Sequence, residues 1–596
     1  MKRRADLACL AILLAANPIV WFFDAGILSF SSSDALAYVT LGRDMVRSAA
    51  LYVASWGHID QGLILPPLYP LLIGIGSFFC DDLLRVASWI SSLCLILAGI
   101  PFALLIRDIT GRVVAVIAAL LIPFTSLFQH AFAPLTEALF VFLTALALLV
   151  LGRSTESGET RSAVAVGLLC GLAFLARPVG LFLLAFALMW VAITAAAARG
   201  ERSRAIVRQI ATVLAGFLLI SGPWAIGLFS QTGQHPLQRT FRIGSYSVST
   251  DDPLVLADIR WIQETVQEDY ESVYRSRRMM RRLITDASEM YENLVASSSS
   301  PDEKRSGPEK ILHRIAVQPF GVVENLLGNT RSLWKKVGNW LFGLFIITSL
   351  TPLLVRRTGV PWQQRLMLGA WVWFYIAAVS LITDLISRYV VVVLPFLVLH
   401  IAVEVCALAS LVAILRIPWR RSLLCAALLI PPASFYSVAR ASVKFRWAYS
   451  VDRALYAPLR EFIQEGDVVF TPGPLDAYLL GAGFRILPDD TFDRVATYAE
   501  HTGVKWLVVS HMRHNAQQIK LYEHQWYARL HRWDVSRLFP SPGGTRLVKC
   551  CEADRGRILL YRFENDAAQG EATRRLVDSE PDPGQDWPAN GSDDGQ

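Results

Sequence analysis

The sequence is short of charge. Only 18% of its 596 residues are Asp, Glu, Lys or Arg, against about 25% in an ordinary soluble domain. That deficit excludes a water-exposed surface around most of the chain. The cysteines are few and scattered: eight in all, with no spacing that suggests a zinc site or a disulfide framework. Cys9, Cys94, Cys170, Cys406 and Cys425 lie in apolar runs and are expected as small core residues. Cys550 and Cys551 are adjacent in a polar region, where a single bridge is the alternative to two free thiols. There is no P-loop, no dinucleotide fingerprint and no trustworthy Ser-His-Asp signature. Internal repeats, which would point to a secondary transporter, are also missing.

What is present is apolar sequence. Hydrophobic residues make up 53% of the chain, and several uninterrupted runs reach about 20 residues, enough for a helix to cross a hydrocarbon core of roughly 30 Å. The expected class is a polytopic α-helical membrane protein with about 11 spans. The spans fall at roughly 8–28, 84–106, 112–129, 136–152, 162–176, 179–197, 210–229, 338–355, 366–383, 389–412 and 422–438. Met-Lys-Arg-Arg precedes the first run, which lacks a small-residue cleavage site, so an uncleaved first span with a cytoplasmic N-terminus is expected.

The +7 net charge indicates topology rather than nucleic-acid binding. Short loops alternate in basicity: Arg107 and Arg112, Arg153 and Arg161, Arg199 to Arg208, Arg356 to Arg365, and Arg416 to Arg421 all fall on one side. Basic short loops stay in the cytoplasm. The other, outer side then receives loops 29–83 and 230–337, the turns at Arg177 and at Asp384 to Arg388, and everything after about 440. Three units follow: a membrane domain at 1–440, an outer α/β domain at 441–565 and an acidic, disordered tail at 566–596. In loop 29–83, "LPPLYPLLIGIGSFF" is punctuated by Pro66, Pro67 and Pro70 and is expected to lie in the interface. In the α/β domain, "DVVFTP" and "WLVVSH" are expected strands, "PLDAYLLGAGF" a helix ending in glycine, and "RLVKCCEA" with "RILLYRF" a hairpin.

Few residues in this setting can carry chemistry. Asp34 follows Ser31, Ser32 and Ser33. By residue type alone it is first a helix N-cap or a solvated loop acid, and its place at the outer membrane surface beside an amphipathic segment raises the reading of a reactive carboxylate. Glu137, in "PLTEALFVFL", is either a helix-start acid favoured by the macrodipole, with Thr136 as cap, or a cavity residue. Arg177 interrupts a long apolar stretch before Pro178, as a snorkelling turn or as a phosphate ligand. Arg388, beside Tyr389, is a second outer-side arginine, and the planar guanidinium fork suits phosphate. His58, Asp60 and His130, with Asp34 and Glu137, would be the donors of any hard-metal site, although no spacing enforces one.

Five pieces in order carry a resemblance: "DALAYVTLGRDM", "LPPLYPLLIGIGSFF", "PLTEALFVFL", "GLLCGLAFLARPVGLFL" and "SRYVVVVLPFL". Together they resemble the GT-C class of membrane glycosyltransferases, in particular the bacterial relatives of protein O-mannosyltransferases and the lipid A aminoarabinose transferase. The resemblance implies transfer of a sugar from a polyprenyl-phosphate carrier to a lipid, glycan or protein acceptor, usually with inversion, at the outer face of a bacterial inner membrane. It implies Asp34 and Glu137 as catalytic acids, and Arg177, Arg388 and Tyr389 around the carrier phosphate. Tyr38, His58, Pro67 and Tyr69 would line an acceptor or lipid pocket. A divalent metal is compatible with the class. Many relatives carry two adjacent first-loop acids, whereas here Asp34 is followed by Ala35. The rival readings are a polytopic lipid or glycan transporter and a catalytically silent scaffold of the same fold.

Overall fold

The computed structural model describes residues 66–111, 135–157, 159–197, 203–232, 339–354, 362–382, 387–409, 453–464, 466–471, 474–487, 503–510, 545–553 and 558–565. It also describes parts of 38–46 and scattered single residues elsewhere. These residues fall into two compact units. The first is helical: α1 (Leu68–Gly76), α2 (Leu83–Thr110), α3 (Glu137–Ser157), α4 (Thr160–Ala176), α5 (Gly180–Ala197), α6 (Ser203–Thr232), α7 (Asn339–Leu354), α8 (Trp362–Ile382) and α9 (Ser387–Ala409). The chain is a mostly helical, multi-pass membrane protein. Among the described residues, Leu83–Arg107, Glu137–Thr155, Ile206–Gly227 and Val391–Leu408 are each long and apolar enough to cross a bilayer. Thr160–Ala176, Gly180–Thr194 and Leu341–Pro352 are shorter apolar helices. The expected spans at 8–28 and 422–438 lie outside the described residues, as does 112–129 apart from the helical Ala115.

Local chemistry sets the helix ends. The Asp82 side chain caps α2 by accepting from the Arg85 backbone N–H at 3.0 Å. At the other end Gly111 takes a positive φ of 85°, which a glycine adopts without steric cost. Interior prolines at 101, 223, 352 and 395 are carried within helices. Packed neighbours can satisfy the backbone groups a proline frees inside a membrane protein.

Small residues decide how closely the helices approach. α4 and α6 meet along Gly167, Gly171 and Gly216: a Cβ on Gly167 would collide with the Val213 carbonyl, and one on Gly216 with the Val164 carbonyl. Between helices in lipid the hydrophobic effect gives no drive, so close backbone packing of this kind holds them together. The same device operates in the first loop. Residues 38–39, 41–43 and 45–46 are helical, and Gly42 touches α1 so closely that a Cβ there would strike the Pro70 carbonyl. "DALAYVTLGRDM" and "LPPLYPLLIGIG" are therefore packed against one another, further locked by an edge-on contact of Tyr38 with Tyr69 at 5.4 Å. Beyond α4, Phe186, Trp190 and Trp371 form an aromatic core joining α5 to α8.

One cysteine departs from expectation. Cys406, read as a core thiol, is disulfide-bonded. Cys80, Cys94, Cys170, Cys550 and Cys551 are free, so no bridge joins the adjacent pair. Cys9 and Cys425 lie outside the described residues.

The second unit holds a short 3-10 turn (Arg453–Tyr456), α10 (Ala457–Arg460), α11 (Pro474–Leu480) and a five-stranded sheet. Its strands are β1 (Val468–Thr471), β2 (Gly483–Ile486), β3 (Trp506–Ser510), β4 (Thr545–Ala553) and β5 (Ile558–Asn565), in the order β2-β1-β3-β5-β4. β1 runs parallel to β2 and β3, while β5 is antiparallel to β3 and β4. A buried network ties the helices to the sheet: Asp476 accepts from the Tyr456 hydroxyl at 2.5 Å and from Thr471 Oγ1 at 2.8 Å. The expected strands, helix and hairpin are all present. β2 departs from the expected helix end at "GAGF": Gly481 stops α11 with a φ of 76° and Gly483 already begins a strand.

Candidate functional site

The site is built at the first residue of α3. The Thr136 carbonyl accepts the Phe140 N–H at 2.9 Å, so Thr136 holds the cap position and Glu137 opens the helix. Glu137 is fully buried, where an acid benefits from the positive helix end but needs a partner cation. It has one. Arg177, in the turn between α4 and α5, places Nη1 2.7 Å from Glu137 Oε1. The sequence readings of a cap-region acid and a snorkelling arginine thus merge into one buried ion pair.

The turn that carries Arg177 is tightly specified. Arg177 leaves the helix in an extended conformation while its N–H still bonds to the Ala173 carbonyl at 2.9 Å. Gly180 then donates to the Arg177 carbonyl at 2.8 Å. A Cβ on Gly180 would overlap the backbone of Ala173 and Phe174, so α5 can start this close to the end of α4 only with glycine there.

Tyr389, in the first turn of α9, completes a third side. Its ring lies beneath Arg177, with the guanidinium carbon 5.8 Å from the ring centre, within cation–π range. Arg388 is the preceding residue of the same helix. Tyr375 on α8 is fully buried, its ring 5.6 Å from that of Trp371.

A second chain of contacts reaches the start of α3 from the first loop. The Tyr69 hydroxyl donates to the Ala87 carbonyl at 2.9 Å and lies 2.6 Å from Ser91 Oγ. Ser91 in turn donates to the Leu135 carbonyl at 2.9 Å, two residues before Glu137. Burial pushes the Tyr69 phenol well above the ordinary tyrosine range, so it acts as a neutral hydrogen-bonding post. Tyr38 and Pro67 flank it, Tyr38 edge-on to its ring and Pro67 immediately before α1. Of the sequence candidates, Glu137, Arg177 and Tyr389 come together in one cluster; Tyr38 and Tyr69 pack on one another, and Pro67 caps α1. Asp34, His58, Asp60 and His130 lie outside the described residues. Among the described residues no three His, Cys, Asp or Glu side chains gather as a metal site would require.

The sequence reading missed a second ionic cluster. Arg365, assigned to a basic loop, is fully buried against Glu404, with Nε donating to Oε1 at 3.0 Å and Nη2 to Oε2. Thr351 Oγ1 donates to the same carboxylate at 2.5 Å. His400, one helical turn before Glu404, packs over Gly369 and edge-on to Phe345. The signal was present: two ionisable residues at i and i+4 inside "LPFLVLHIAVEV" satisfy the same criterion that singled out Glu137.

A family model described as dolichyl-phosphate-mannose-protein mannosyltransferase matches residues 65–225, the stretch that contains α1, Glu137 and Arg177. The archaeal oligosaccharyltransferase AglB from Archaeoglobus fulgidus, in complex with an inhibitory peptide and a dolichol-phosphate, is similar in structure. It matches over 94% of this chain and 74% of its own, with 14% identity and a TM-score of 0.53. A second structure of the Archaeoglobus fulgidus oligosaccharyltransferase, tethered to an acceptor peptide, has 15% identity, the same coverages of 94% and 74%, and a TM-score of 0.53. The chain shares the fold of these archaeal oligosaccharyltransferases. That assignment rests on these two structures and the family match. ArnT from Cupriavidus metallidurans in the apo state aligns over 94% of this chain and 98% of its own, at 13% identity and a TM-score of 0.45. No curated protein matches the chain by sequence. Within this fold, the Glu137–Arg177–Tyr389 cluster sits at the ends of helices rather than mid-span.

Proposed function

We propose that this chain transfers a sugar from a polyprenyl-phosphate donor to a lipid, glycan or protein acceptor at the outer face of the membrane, with inversion at the anomeric carbon. The observation that carries the reading is the buried Glu137–Arg177 pair over Tyr389, within the segment that the mannosyltransferase family model matches. AglB, the similar structure, holds a dolichol-phosphate. The outer-face assignment rests on the basic short loops of the opposite side.

In this reading Asp34 removes the proton of the acceptor nucleophile as it attacks the anomeric carbon, a step worth about 10²–10⁴-fold. The bond from that carbon to the phosphate oxygen breaks, and the polyprenyl phosphate leaves. Arg177 and Arg388 stabilise the charge that collects on the phosphate. Glu137 orients Arg177, whose five N–H donors can serve a carboxylate and a phosphate together. Tyr38, Pro67 and Tyr69 form the wall beside the lipid, with His58 in the same loop. The domain limits 1–440, 441–565 and 566–596 and a bacterial inner-membrane location complete the proposal.

Mass spectrometry of lipids and glycoproteins from a deletion strain tests it. The expected result is loss of one glycoconjugate and accumulation of its polyprenyl-phosphate sugar, restored by the wild-type gene and not by Asp34→Asn. A deletion strain with every glycoconjugate intact would sink the proposal.

A further inference from the structure

A serine inside a helix commonly donates back to the carbonyl four residues earlier. Ser221 and Ser380 do so, to Phe217 at 2.8 Å and to Ile376 at 2.7 Å. Ser91 on α2 does not. The Ala87 carbonyl, its local acceptor, already accepts the Tyr69 hydroxyl at 2.9 Å. Ser91 Oγ crosses instead to the Leu135 carbonyl at 2.9 Å. A serine hydroxyl has one proton to give, so in the 2.6 Å contact between the two hydroxyls Tyr69 is the donor. Both residues are fully buried.

The place where this bond lands matters. The first intrahelical bond of α3 uses the Thr136 carbonyl, so the Leu135 carbonyl lies outside the helix and is held by Ser91. Leu135 is buried, and a buried carbonyl that loses its donor is costly. Two residues on, Glu137 pairs with Arg177 at 2.7 Å. In the other direction, Tyr69 belongs to α1, against which the helical residues of 38–46 pack through Gly42 and the Tyr38 ring. Those residues follow Asp34 in the sequence. Ser91 thus ties the first outer loop to the Glu137–Arg177 pair. In an inverting transfer the nucleophile enters opposite the departing phosphate, so the groups that serve the two must keep a fixed separation. A misplacement of about 1 Å can cost about 10²-fold in rate. We propose that Ser91 is a positioning residue for the transfer, its hydroxyl holding the start of α3, with Glu137 and Arg177, at a fixed distance from the first outer loop. The assignment rests on the donor class proposed above and adds a residue from α2, a helix from which the sequence offered no candidate.

Full-length protein in nanodiscs, as wild type, Ser91→Ala and Ser91→Thr, is compared by three readouts. They are sugar transfer per folded molecule from a panel of polyprenyl-phosphate sugars, binding of polyprenyl phosphate, and hydrogen exchange at the first turn of α3. Ser91→Ala is expected to transfer about tenfold more slowly or worse, to bind polyprenyl phosphate within about twofold of wild type, and to exchange the Phe140 amide faster. Ser91→Thr keeps the hydroxyl and should recover most of the rate. An unchanged Phe140 exchange in Ser91→Ala overturns the link itself. Faster exchange with wild-type turnover overturns the positioning role and leaves the donor class standing. Transfer and polyprenyl phosphate binding that fall by the same factor also overturn it, because the site was then damaged as a whole. So does a folded Ser91→Thr as slow as Ser91→Ala, since the hydroxyl was then not the active group. A wild type that consumes no polyprenyl-phosphate sugar overturns the donor class and the positioning role together, a result distinct from an active wild type matched by Ser91→Ala.

Discussion

Arg177 and Glu137 stand 2.7 Å apart at the junction of three helices, with both side chains withdrawn from solvent. Each makes the burial of the other tolerable. The turn after α4 delivers the arginine, the first residue of α3 delivers the acid, and Gly180 allows the turn to be this short.

Breaking the pair is expected to be costly. Glu137→Gln leaves a buried guanidinium without its carboxylate, which destabilises by about 3–5 kcal/mol. Replacing both residues, as Glu137→Leu with Arg177→Met, should recover much of that loss, because two apolar groups of similar volume carry no desolvation penalty. Unfolding of the purified variants in detergent provides the comparison. A double variant as unstable as the single one would argue against a direct pair.

The α4–α6 seam predicts a steric effect with no charge involved. Gly167→Val or Gly216→Val forces apart backbones that are in direct contact and is expected to cost at least about 1–3 kcal/mol. Gly222→Ala, where a Cβ meets nothing within 4 Å, should be tolerated. Yield of monodisperse protein on size-exclusion chromatography separates the two cases.

The Arg365–Glu404–Thr351 cluster ties α7, α8 and α9 together away from the proposed site. Glu404→Gln should therefore lower stability by a few kcal/mol while leaving turnover per folded molecule close to wild type. Activity normalised to folded protein decides this, and a selective loss of turnover would move the cluster into the mechanism.

Cys550 and Cys551 are partly exposed free thiols on β4, where a bulge interrupts the pairing with β5 between Lys549 and Cys551. Burial pushes both thiols up from their ordinary value. The thiolate is the reactive form, so at neutral pH both should alkylate more slowly than a free cysteine peptide, whose thiol has a pKa of about 8.5. The difference should close as pH rises past the raised values. Mass-spectrometric labelling with iodoacetamide across pH 7 to 10 reads it, and rates equal to the peptide at neutral pH would contradict the burial.

Much of this molecule was legible in its sequence because lipid is an exacting solvent. Runs of apolar residues located the helices, and an acid or arginine inside such a run had to mean something, which exposed Glu137 and Arg177. Their pairing was not legible, since it depends on how α3 meets the turn after α4. Arg365 was misread because a cation beside a span boundary looks like any loop arginine until Glu404 is placed opposite it. β2 was missed because a four-residue edge strand that begins at a glycine has no alternation to detect, and two glycines nearby signal a turn. β1 and β3, buried and continuously apolar, were unmistakable.

The most direct measurement is sugar transfer by purified protein in proteoliposomes supplied with a panel of polyprenyl-phosphate sugars, following release of polyprenyl phosphate and glycosylated product together. The account predicts that one donor is consumed by the wild type, and that Asp34→Asn and Arg177→Lys, recovered as folded protein, fall by about 10²-fold or more, the scale of a lost general base or oxyanion partner. Movement of an intact donor across the bilayer without cleavage, or turnover unchanged in both variants, would contradict it.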